Sequence, residues 1–134
     1  MQTASYVTVE TSKSVESAMA AVDAALKSRQ FGVLWHLDMN EKLVEKGLEA
    51  GPAFHVLEVC SAPRAKQALT TNQQVGMLLP CKVVVYEDQA TKGTQIGYLR
   101  PDIMMELLHD EALRPLATEV ERILDEAVRE AAAS

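Results

Sequence analysis

The sequence predicts an α+β fold in which helices pack on one face of a mainly antiparallel sheet. Two observations carry this. Short β-branched and apolar runs dominate the middle of the chain, while longer stretches of 3.6-residue apolar periodicity flank them. The order of elements, β-α-β-(α)-β-(α)-β-β-α, also closes its run of strands with a hairpin and so departs from the strict strand–helix alternation of a parallel sheet.

Tyr6-Val7-Thr8-Val9-Glu10 alternates and is β-branched, so it reads as the first strand. Thr11, Ser12 and Ser14 offer N-cap oxygens, and Val15, Ala18, Met19, Val22, Ala25 and Leu26 recur at helical spacing to about Ser28. Phe31 to Asp38 is the second strand. Simple alternation puts Phe31, Val33, Trp35 and Leu37 on one face, with Gly32, Leu34, His36 and Asp38 on the other. Asn40 is the expected cap of a short helix to Leu48, closed by Gly51-Pro52. Phe54 to Cys60 is the third strand. Ser61 then stands where an N-cap belongs, with Pro63 in the first turn of a helix reaching Thr71-Asn72. Leu79 to Glu87 and Thr94 to Arg100 form a hairpin about Lys92-Gly93. Pro101 opens a last helical segment that Pro115 divides, with Leu116, Val120, Ile123, Leu124, Ala127 and Val128 as its apolar stripe.

No repeat, linker or low-complexity stretch interrupts residues 1–134, so a single domain is expected. Apolar residues make up 48% of the chain and charged residues 24%, a globular balance. The net charge is −6, and 13 basic residues are scattered among 19 acidic ones. Phosphate backbones and anionic membranes call for clustered Lys and Arg, so neither is expected as a partner. Met1 to Ser5 shows no basic or apolar leader pattern, and no apolar run approaches membrane-spanning length. A soluble, cytoplasmic protein is the expectation. The third and fourth strands are apolar on both faces, so a second surface should cover the sheet face opposite the long helices. Short helices or another subunit would do this, and a homodimer is favoured.

The two cysteines are the main chemical lead. Cys60 ends a strand just before a helix N-terminus that carries Arg64, a setting that lowers a thiol's pKa. Cys81 opens the next long strand, and antiparallel pairing would bring the two to the same end of the sheet. Both are also small apolar residues of the kind cores bury. His36 and Asp38 share a strand face and resemble a histidine–carboxylate pair, and Glu58 shares a face with Cys60 as a candidate base. His55 reads as a half-buried strand histidine. Two Cys and three His show no zinc-site spacing, so no metal is assigned. Glycine-rich nucleotide loops, G-x-S-x-G and H-E-x-x-H are absent.

Glu58-Val59-Cys60-Ser61-Ala62-Pro63, Leu78-Leu79-Pro80-Cys81-Lys82-Val83-Val84-Val85-Tyr86-Glu87 and Arg100-Pro101, preceded by Phe31-Gly32-Val33-Leu34 and Asp38, resemble the family called domain of unknown function 302. The resemblance implies a two-layer β-α-β(4)-α fold like that of the TATA-binding protein, often dimeric, with Cys60 and Cys81 at family-pattern positions. It implies no reaction and leaves any cofactor unknown, and a fold shared with a DNA-binding protein says nothing of DNA binding.

The expectation is therefore a dimeric, non-catalytic accessory or small-ligand-binding protein. Its ligand-site candidates are Cys60, Ser61, Arg64, Cys81, His36, Asp38 and Glu58, and they would suit a small anionic or thiol-reactive ligand. The alternative is a thiol-dependent redox or sulfur-handling protein in which Cys60 and Cys81 are the catalytic candidates, so whether the protein is an enzyme stays open.

Overall fold

The computed structural model describes residues 1–133, the side chain of Met104 excepted. Strand β1 (Tyr6–Thr11) leads into helix α1 (Val15–Lys27), followed by β2 (Gly32–Asp38), α2 (Met39–Glu45), β3 (Phe54–Cys60) and α3 (Ala62–Thr71). After a 3-10 turn at Gln73–Met77 come β4 (Cys81–Glu87), β5 (Thr94–Leu99), α4 (Ile103–Leu108), a second 3-10 turn at Glu111–Leu113 and α5 (Arg114–Ala132). The five strands lie in the order β1-β5-β4-β3-β2, every neighbouring pair antiparallel. The fold is the expected two-layer α+β arrangement.

Alternation along the strands turns Val7, Leu57, Val59, Val83, Val85 and Ile96 to one face, where all are buried. Helices α1 and α5 lie against that face and against each other, closing one core through Val22, Leu26, Leu124 and Val128. Burying each of the larger side chains contributes about 1.5–3 kcal/mol, so this layer contact is the main source of stability. Helix α1 starts where Ser14, one of the three candidate caps, accepts a hydrogen bond at Oγ from the Ser17 amide (3.1 Å). Tyr98 reaches through the core edge to donate to Asp125 Oδ1 (2.8 Å), and Asp125 also holds Arg129 (2.9 Å). A second cluster (Ala68, Val75, Met105, Leu113 and Ala117) joins α3, α4 and the two 3-10 turns to the N-terminal part of α5.

Three local expectations are corrected. In β2, Val33 pairs with Val59 but Trp35 pairs with Glu58, so Leu34 is an extra residue on this strand. The bulge reverses the alternation. Phe31 and Val33 belong to the core side, whereas Trp35 and Leu37 lie on the opposite face with Glu58 and Val56. Helix α2 is capped by Asp38, whose Oδ1 accepts from the Glu41 amide (3.2 Å). Asn40 instead holds the following loop through Gly51 and Pro52. Ser61 occupies the N-cap position of α3 but its side chain makes no capping bond.

The face opposite α1 and α5 stays open. It presents Tyr6, Phe54, Val56, Val84, Tyr86 and Leu99, and Phe54 and Tyr86 stack across the strands with ring centroids 5.1 Å apart. Trp35, Tyr6 and Leu99 remain 54%, 43% and 47% exposed, because the short helices gather beside α5 and do not cross this face.

Candidate functional site

Where β3 and β4 meet α3 and α5, a small cavity of about 40 Å³ remains. Its walls are almost wholly apolar: Phe31, Val59, Ala68, Val75, Leu79, Leu113, Leu116, Ala117 and Val120. Cys60, Ser61, Arg64, Ala65 and Cys81 complete the lining. The volume exceeds the 10–15 Å³ or so that one water requires, but an apolar lining of this kind holds water poorly.

Antiparallel register explains the convergence. Cys81 lies opposite Val59, so Cys60 and Cys81 are diagonal neighbours with Cα atoms on the order of 6 Å apart. Alternation nevertheless starts the two side chains from opposite faces of the sheet. Cys81 packs on the core with Val59, and both residues are free thiols. Cys60, at the strand end, borders the cavity on one side and an open groove on the other. That groove runs between the bulged Leu34 and the outer side of α3, along Ala62, Lys66 and Leu69. Cys60 and Ala65 line both spaces and so form the wall between them.

The charge around the thiols does not favour thiolate. Arg64 Nη2 pairs with Glu119 Oε1 (2.7 Å), its Nη1 donates to Ser61 Oγ (3.2 Å), and its guanidinium lies 5.7 Å from the Phe31 ring centroid. Its positive charge is thereby met by Glu119. Burial pushes the Cys60 thiol up, against the lowering expected at a helix N-terminus. Burial first, then the nearby Cys60 and Glu58, pushes Cys81 up to about 11, with Lys82 opposing. Both shifts favour the neutral thiol over the thiolate.

The other candidates lie apart. Glu58 is on the open sheet face, where Oε1 accepts from Lys82 Nζ (2.6 Å). Its side chain is only 12% exposed, and Oε2 is buried without a partner. Asp38 and His36 share a face as expected, but Asp38 caps α2 and His36 meets His55 instead. The two rings approach with Nε2 of His36 and Nδ1 of His55 2.7 Å apart. Sequence reasoning read His55 as a half-buried strand histidine but missed this contact, which depends on a register between residues 19 apart. Among the described residues no group of three or more His, Cys, Asp or Glu is placed to hold a metal ion. Nor is any described helix long and apolar enough to cross a membrane.

The comparisons with known proteins agree with this architecture. No curated protein sequence matches the chain. Among solved structures, the crystal structure of an uncharacterized conserved DUF302 protein from Bacillus stearothermophilus is similar at 34% sequence identity and a TM-score of 0.88. The similarity covers 94% of this chain and 97% of that one. The family described as domain of unknown function DUF302 matches residues 7–131. Fold, sequence and the segments around both cysteines lead to one conclusion: this chain belongs to the DUF302 family.

Proposed function

We propose that the protein is a non-catalytic accessory domain that binds a small, largely apolar molecule in the cavity beside Cys60 and Cys81. The observation that carries this reading is the convergence of Cys60, Ser61, Arg64 and Cys81 on one apolar cavity separated by a thin wall from a surface groove. The cavity alone is far smaller than the 300–1,000 Å³ or so of ordinary ligand pockets. A ligand therefore lays most of its length in the groove and places a short apolar end past Cys60 and Ala65. Neutral thiols suit that path better than thiolates would, and an Arg64 already paired with Glu119 favours a neutral tail over an anion inside.

Hexanol and hexanoate are suitable probes, sharing a tail and differing in head-group charge. Methyl NMR should give saturable shifts at Val59, Ala68, Ala117 and Val120 with at least one of them, and Ala65→Leu should weaken those shifts at least tenfold. Absence of saturable shifts at these methyls with both probes overturns the reading.

The functional unit in this proposal is a homodimer formed through the open sheet face. A second copy is the occupant that the charges favour. Glu58 and Lys82 stand side by side among Trp35, Val56 and Val84, so two copies set face to face can turn each exposed Lys82 toward the other copy's Glu58. Sedimentation velocity should show a dimer that Val84→Lys converts to a folded monomer. A wild-type monomer at high protein concentration would exclude it.

One observation favours thiol chemistry as the competing reading: the diagonal placement of Cys60 and Cys81 falls within disulfide reach at the backbone. Opposed side-chain directions and raised thiol pKa values weigh against it.

A further inference from the structure

We infer that His36 and His55 form a two-imidazole chelate for a divalent transition metal of the nickel, copper or zinc class at the exposed edge of the sheet. The residues come from adjacent strands: His36 lies opposite Leu57 and His55 opposite Asp38, so the two histidines are diagonal neighbours on one face. Their nitrogens are 2.7 Å apart and their ring centroids 4.9 Å, with the ring planes inclined at 37°. One nitrogen donates a hydrogen and the other offers its lone pair.

Two imidazole nitrogens bound to one ion at 2.0–2.1 Å lie about 2.9–3.4 Å apart for angles between square and tetrahedral. Binding takes a lone pair from each ring, so the donor ring passes its hydrogen through solvent to its other nitrogen, and the metal then asks for a widening of only a few tenths of an ångström. The exposed His36 ring and the half-buried His55 ring, on neighbouring antiparallel strands, can supply this by small χ rotations. Borderline nitrogen donors select nickel, copper and zinc over magnesium or calcium, which prefer oxygen. With two protein donors, water fills the remaining positions. Asp38, opposite His55 in the register, is engaged in the α2 cap through Oδ1 and is not counted as a donor. The cation class also suits a chain of net charge −6. This site lies at the β2 edge and is independent of the cysteine-lined cavity.

Calorimetric titration of the full chain with nickel(II), followed by zinc(II), tests the assignment. Saturable binding of one ion per chain is expected, weakened at least tenfold by His36→Asn and, separately, by His55→Gln. The affinity should be unchanged in a Cys60→Ser/Cys81→Ser variant, and magnesium should not compete. Ligand-field absorption with cobalt(II) should show nitrogen donors and no thiolate charge-transfer band. The inference is overturned if no saturable binding occurs, if either histidine can be replaced without loss, or if the cysteine variant loses the affinity instead.

Discussion

Alkylation of the two thiols offers a quantitative test of the site's electrostatics. Cys81 is pushed up from 9.0 to about 11, so at neutral pH it carries about a hundredfold less thiolate than an ordinary cysteine. Thiolate is the reacting species, and burial against Val59 and the core adds steric protection. Iodoacetamide labelling of the native protein, read at each cysteine by peptide mass spectrometry over a pH series, should therefore show Cys81 reacting at least about a hundredfold more slowly than free cysteine. Cys60, raised by burial alone and bordering the groove, should react faster than Cys81 yet more slowly than the free amino acid. The same shift has a stability consequence with a definite sign. The folded state favours the protonated thiol, so the stabilisation is complete below about 9 and is lost as pH rises through about 11. Its size is on the order of 2–3 kcal/mol, and Cys81→Ala should remove that part of the alkaline loss. Fast labelling of either cysteine with a midpoint below that of free cysteine would refute the reasoning and favour thiol chemistry.

Two further substitutions separate structural from functional roles. Tyr98→Phe removes the hydroxyl donated to Asp125, while Arg129 still pairs with that carboxylate; the cost should be about 1–2 kcal/mol in denaturant unfolding. Asp38→Ala should cost about 1 kcal/mol through loss of the α2 cap while leaving probe binding in the cavity unchanged. A fall in probe affinity would instead place Asp38 in the site.

The layer architecture was legible because it follows from local periodicity. Val15 to Leu26 and Phe54 to Cys60 carry their burial pattern in the spacing of apolar residues alone, and the structure returns the same helix face and strand. Features that depend on residues distant in sequence were not. The bulge at Leu34 leaves no local mark, yet it sends Trp35 and Leu37 to the face opposite Val33. Asp38, the last residue of β2, stands two positions before the expected cap, and the choice between Asp38 and Asn40 rests on how the loop at Gly51 draws Asn40 away. Cys60 does stand at a helix N-terminus next to Arg64, as the local sequence suggests. The sign of its pKa shift was missed because Glu119, 55 residues from Arg64, pairs with the guanidinium and the surrounding helices bury the thiol. The His36–His55 contact likewise needs the β2–β3 register.

The central claim is that the space beside Cys60 and Cys81 receives an apolar ligand end. Diffraction from crystals pressurised with xenon tests it most directly, because xenon fills small dry cavities and is located by its scattering. The account predicts a xenon peak enclosed by Phe31, Ala68, Cys81 and Leu116, and its loss when Ala117→Leu fills the space. Xenon absent from this cavity, or ordered water hydrogen-bonded within it, would contradict the claim.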